Sequence, residues 1–109
     1  MNVEQLYDSL KKIQEAKGYY FNKDRKRVFD LLQGLSINKE RYGYMCCPCR
    51  LAADDPDRDK DIICPCVYRE QDVAEYRSCY CNLYVSRAWN EDKIPHLYVP
   101  ERRPPEKML

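Results

Sequence analysis

The hydrophobic positions open with a helical beat. Val3, Leu6, Leu10 and Ile13 recur at spacings of three and four, which predicts an amphipathic helix over residues 2–17. Asn2 suits its N-cap, and Gln5 three residues later completes a capping box. Gly18 suits the left-handed position that ends a helix. A second helix is expected from an Asn22 cap to about Gln33, with Val28, Phe29, Leu31, Leu32 and Leu35 on the apolar side and Gly34 as its end. Between them, Tyr19-Tyr20-Phe21 reads as an aromatic hinge packed across both helices.

The beat then fades. Residues 36–45 lead into a cysteine region over 46–81, so residues 1–45 form a helical N-terminal part. The charged, proline-containing stretch 54–61 reads as a surface loop or short helix, and Ile62-Ile63 returns the chain to the core. Residues 69–78 suit a short helix with Val73 and Tyr76 facing in. Leu83, Tyr84 and Val85 alternate only weakly. From Ile94 to residue 109, Pro95, Pro100, Pro104 and Pro105 exclude regular helix and predict an extended surface strap that frays at its end. No repeat of solenoid length is present.

Composition narrows this to one small domain. Of 109 residues, only 22 are Leu, Ile, Val or Phe, which is thin for a packed core. Nineteen basic and eighteen acidic residues nearly cancel, so charge repulsion does not hold the chain open, and seven cysteines can staple it. A net charge of +1 gives no global field for nucleic acid or an anionic membrane, and no apolar run is long enough to span one. The segment Met1-Asn2-Val3-Glu4-Gln5 has neither the basic flank nor the apolar stretch of a secretory signal, so a reducing cytoplasm is expected. There, cysteines more often bind metal or do redox chemistry than form structural disulfides.

The cysteines carry the chemical signal. Cys47-Pro48-Cys49, Cys64-Pro65-Cys66 and Cys79-Tyr80-Cys81 form three Cys-x-Cys pairs, with Cys46 beside the first. Proline fixes φ and removes a donor, which stiffens a turn that aims two sulfurs. Structural zinc usually draws on Cys-x2–4-Cys pairs and closes with four ligands, so this set has sulfurs to spare. A 4Fe–4S cluster also takes four thiolates, which leaves two cysteines for a redox-active disulfide and one over. The C-x2-C-x2-C run of a simple bacterial ferredoxin is absent. Spacing favours an iron–sulfur site over zinc and over disulfides alone, and the rival functions are a zinc-stapled interaction module and a cluster-bearing electron carrier.

The order CPC, CPC, CxC, with CPCR opening and ICPCV in the middle, resembles the catalytic (beta) subunit of ferredoxin–thioredoxin reductase over roughly residues 5–90. The resemblance implies a mainly α, small single-domain irregular helical array wrapped around a 4Fe–4S cluster. Ferredoxin would dock on one face, and a thioredoxin- or glutaredoxin-like protein would bring its disulfide to the other. It also implies Cys47, Cys64, Cys66 and Cys79 as cluster ligands and Cys49 with Cys81 as the active disulfide. Cys49 would be the attacking thiol, and Cys81 the sulfur beside the cluster. Tyr80 stands where the plant and cyanobacterial enzymes carry His, and as a proton donor it is the weaker acid at neutral pH. The gaps also differ from those enzymes, and Cys46 has no counterpart role. These departures resemble the archaeal and anaerobic-bacterial branch, in which a small partner subunit is often absent.

Other side chains invite both functional and plain structural readings. Lys23, Arg25, Lys26 and Arg27 on the second helix, or Arg102 and Arg103 in the tail, could steer an acidic ferredoxin or simply be solvated. Arg50 could stabilise the Cys49 thiolate or pair with Asp54 or Asp55. His96 reads as structural and Trp89 as a core or rim anchor.

Overall fold

The computed structural model describes residues 2–108. About half of the chain is helical, in the order α1 (Val3–Glu15), β1 (Tyr20–Phe21), α2 (Arg25–Tyr42), α3 (Pro56–Asp59), α4 (Arg69–Tyr76), β2 (Tyr84–Val85) and α5 (Arg87–Asn90). Short 3-10 turns follow α3 at Lys60–Ile62 and lie near the C-terminus at Pro105–Lys107.

The Asn2–Gln5 capping box of α1 forms as expected. Ile13, however, is half exposed, and the face it was assigned to turns inward instead at Leu6 and Gln14. The buried Gln14 amide accepts a 2.6 Å hydrogen bond from Arg69, so a polar pair replaces the apolar contact. Gly18 takes the positive φ that ends the turn after α1.

Helix α2 departs most from expectation. Asp24, not Asn22, caps it, and Asn22 is drawn away to Leu83 and Asn82. The helix runs straight through Gly34 to Tyr42, so it passes the expected end at Gln33 and takes in residues 36–42 of the lead-in expected over 36–45. Gly43, at φ 89°, is the actual stop. Gly34 serves a different purpose: a Cβ built there would lie 2.9 Å from Pro48 Cβ. The missing side chain lets the first Cys-Pro-Cys turn rest directly on the helix.

The aromatic hinge is a strand. Tyr20 pairs with Val85 and Phe21 with Tyr84 in an antiparallel ribbon, with Tyr84 and Val85 almost wholly buried. Tyr7, Phe21 and Phe29 stack beside it, and Phe21 stacks in turn on Tyr84. The core gathers Leu6, Phe21, Val28, Leu32, Leu35, Ile62, Leu83 and Tyr84 with several cysteines. Sulfur and aromatic rings thus supplement the sparse aliphatic residues.

Helix α4 stops at Tyr76, two residues short of its expected extent, with Arg77 in the left-handed region. Trp89 is buried on α5, and the His96 ring stacks on it at 3.6 Å, in keeping with anchoring and structural parts. Residues 95–102 have no regular secondary structure, as expected of an extended strap, and this stretch is fastened to the body of the fold. Val99 and Arg103 are buried, Arg102 pairs with Asp72 and Glu75, and Arg103 pairs with Asp61. Neither reading of Arg102 and Arg103, docking or plainly solvated, describes them: both pair with carboxylates of the chain itself. Among the described residues, no helix is long and apolar enough to cross a membrane.

Candidate metal and redox centre

Backbone pairing brings the three cysteine pairs together. The Cys47 amide donates to Ile62 O at 2.7 Å, and the Cys64 amide to Met45 O at 2.8 Å, so the first and second pairs are laced side by side. The Cys79 amide donates to Tyr84 O at 2.9 Å, which hangs the third pair from β2. Asn82, in the left-handed conformation that Asn tolerates, closes the turn with its amide on Cys79 O. Arg27 donates to Cys81 O at 3.0 Å and ties that turn to α2. One member of the basic cluster is thus structural. Of its neighbours, Lys23 pairs with Asp92, Lys26 with Asp30, and Arg25 lies over the Tyr7 and Phe29 rings.

The result is a partly enclosed cavity with about 340 Å³ of atom-free space, some of it open to solvent. Cys47, Cys64, Cys66, Cys79 and Cys81 line it, with Arg50, Arg69 and Tyr84 among its walls. The donors are thiols alone, with no carboxylate or imidazole among the lining residues. Such a soft set suits iron–sulfur clusters, zinc or cuprous ion. The residues therefore fit a thiolate-held metal group. Cys46 lies apart, fully buried in the core, and burial pushes its thiol pKa up.

The tightest sulfur grouping is a different one. Cys47, Cys49 and Cys81 place their sulfurs within 4.8 Å of one another, close enough to share a metal ion, and Cys47 and Cys81 are 2.9 Å apart. This trio overlaps the ligand set implied by the resemblance only at Cys47. All seven cysteines are unbridged. Cys49 is exposed and opens onto a second hollow lined by Tyr80, Asn82, Leu97, Tyr98 and Val99.

The thiols are electrostatically unequal. Hydrogen bonds from Cys47 and then Cys81 hold the Cys49 pKa far below the usual thiol range, against the cost of burial, and Arg27 adds to the effect. Cys79 is lowered to about 7, chiefly by Cys81 and then by backbone amides. Cys81 is pushed up because it donates to Cys47, Cys49 and Cys79. Burial pushes Cys64 and Cys66 up. Buried thiols that resist ionisation alone are stabilised as thiolates by a bound metal. Burial, with Glu101 and Tyr98 close by, also raises the Tyr80 phenol.

Arg50 does not pair with Asp54 or Asp55. Its guanidinium is gripped by Glu101 at 2.8–3.1 Å through three contacts. Its remaining nitrogen points at Cys47 Sγ at 3.7 Å and Cys66 Sγ at 3.6 Å. The sequence marks Gly34 only as a helix end, and it does not mark Glu101 at all. Glu101 lies fifty-one residues from its partner, a distance no spacing rule covers.

The model of the family described as ferredoxin thioredoxin reductase catalytic beta chain matches residues 1–97. A search among curated proteins finds no match. The family match spans all three cysteine pairs and both strands of the ribbon, and its description is that of a reductase. The chain belongs to the ferredoxin thioredoxin reductase catalytic beta chain family.

Proposed function

We propose that the chain is an iron–sulfur disulfide reductase that passes electrons from ferredoxin to the disulfide of a thioredoxin- or glutaredoxin-like protein in a reducing cytoplasm. One observation carries the reading. Thiols of all three cysteine pairs line one cavity, and the exposed, acidified Cys49 stands at its edge within reach of Cys81. Cys47, Cys64, Cys66 and Cys79 would hold a 4Fe–4S cluster, which supplies single electrons next to the Cys49–Cys81 pair.

The chain's own groups do the exchange. The Cys49 thiolate attacks one sulfur of the substrate disulfide, and the other leaves as a thiolate that takes a proton. Cys81 then attacks Cys49 in the mixed disulfide, which frees the second substrate sulfur and leaves Cys49–Cys81 oxidised. The substrate gains two electrons and two protons, and two single-electron deliveries from ferredoxin restore the pair. With about −400 mV for a plant-type ferredoxin and about −270 mV for thioredoxin, the transfer is downhill by roughly 6 kcal/mol. The hollow beside Cys49 gives the incoming disulfide its approach. Tyr80 lies where a proton is needed, but its raised pKa suits its ring better to supporting Arg50 than to proton delivery.

Anaerobic purification followed by iron, sulfide and zinc analysis, with thiols counted before and after reduction, tests the reading. Four irons per chain and two extra thiols on reduction are expected. Zinc without iron under strict anaerobic handling would overturn the assignment and leave a zinc-stapled interaction module.

A further inference from the structure

The stretch after residue 97 lies outside the family match, yet it reaches into the centre. Glu101 binds Arg50 through both carboxylate oxygens, and the Arg50 side chain is only 2% exposed. The guanidinium is planar with a fixed fork of donors, so gripping one edge sets the direction of the other. Here the free edge points at the sulfurs of Cys47 and Cys66, with Tyr80 at 4.5 Å and Tyr68 at 5.3 Å from the guanidinium carbon. Glu101 is itself held: one oxygen accepts from the Arg103 amide at 2.9 Å. The Arg103 guanidinium binds Asp61, which also accepts from Tyr68. The contacts form one continuous chain from the strap to two sulfurs.

We infer that Glu101 is a positioning residue that, through Arg50, holds hydrogen bonds on the Cys47 and Cys66 sulfurs and thereby sets the reduction potential of the metal centre. This rests on the reading above that those two sulfurs are metal ligands. Hydrogen bonds and positive charge at ligand sulfur favour the more negative, reduced form and raise the potential. The sign separates positioning from simple charge balance. If Glu101 only neutralised Arg50, its removal would leave a bare cation beside the sulfurs and raise the potential. If it aims Arg50, its removal frees the guanidinium to swing into water and lowers the potential.

The test is a redox titration of anaerobically purified wild type, Glu101→Ala, Arg50→Gln and the double variant, followed by the spectrum of the metal centre. Both single variants are expected to shift the oxidised-to-reduced ratio at fixed poise about tenfold toward oxidised, a fall of about 59 mV for one electron. The double variant is expected to fall no further than Arg50→Gln, because the two residues act in series. Should Arg50→Gln fail to retain metal, Arg50→Lys takes its place, with a fall in the same direction. A second readout needs no metal. In the metal-free protein, trypsin is expected to cut after Arg102 at least tenfold faster in Glu101→Ala than in wild type, Arg103 being shielded by the proline that follows it. A Glu101→Ala potential that rises or stays put overturns the inference, and unchanged trypsin cutting does so as well. Wild type without iron overturns the reading beneath it, so the two failures are distinct.

Discussion

Gly34→Ala tests the link between helix α2 and the thiol centre. In an ordinary exposed helix the exchange stabilises by about 1 kcal/mol, because glycine is the poorer helix former. Here the new methyl would sit 2.9 Å from Pro48 Cβ, well inside contact distance. The obstructing atom belongs to a ring fused to the backbone, so no side-chain rotation relieves it. Overpacking of this kind costs about 1–3 kcal/mol. The balance is therefore about 0–2 kcal/mol of destabilisation where propensity alone promises a gain. Relief requires the Cys47-Pro48-Cys49 turn to lift from the helix, which also moves Cys47 against the other sulfurs. Urea unfolding of the metal-free protein measures the first effect, and metal content after anaerobic purification the second. A net loss of stability together with substoichiometric metal is expected. A variant more stable than wild type by about 1 kcal/mol, with full metal, would refute the packing argument.

Other substitutions probe other parts of the site. Cys49→Ser should keep the metal and lose turnover, whereas Cys64→Ser should lose the metal, as elemental analysis and a disulfide-reduction assay would show. Tyr80→Phe should slow turnover by less than about tenfold; a loss of 10² or more would restore the phenol as general acid. Arg103→Ala leaves Asp61 buried without its cation and should cost about 3 kcal/mol or more in denaturant unfolding, since the pair is nearly sealed from water. For both Asp59 and Asp61, burial works against the charge, but Tyr44 and the Ala53 amide in one case, and Tyr68 and Arg103 in the other, outweigh it and lower the pKa. Lowered carboxylate values stabilise the fold fully above about pH 3.9, the unfolded value, and that contribution is lost as pH falls through the folded values. Asp61→Asn should accordingly flatten the acid limb of the stability profile, and an unchanged limb would count against the network.

Local signals were legible where the physics was local. The capping box, the start of α1 and the three cysteine pairs all follow from residues a few positions apart. Gly34 misled because a glycine in a helix reads as a stop, whereas its reason lies across space, in Pro48. The ribbon was hidden because two-residue strands are too short to show alternation; Tyr20 and Phe21 become strand only by meeting Val85 and Tyr84. Ile13 was misplaced because the inner face of α1 accommodates Gln14, whose amide is satisfied by Arg69. The prolines of the tail predict an extended strap but carry no sign of the ion pairs that fasten it. Arg50 was marked from its neighbours in sequence, and its true partner, Glu101, is visible only in three dimensions.

The two-residue ribbon also bears on how the protein is made. Every cysteine lies between β1 and β2 in the chain, and the third pair hangs from β2 through the Cys79–Tyr84 hydrogen bond. While the polypeptide is being synthesised, α1, α2 and the lacing of the first two cysteine pairs can form early, but the third pair has no strand to hang from until Val85 has been added. The Arg50 fork waits longer still, for Glu101. A metal shared by all three cysteine pairs would load only after Val85 is in place, and a nascent chain arrested before Val85 would carry its third pair unassembled and open to oxidation.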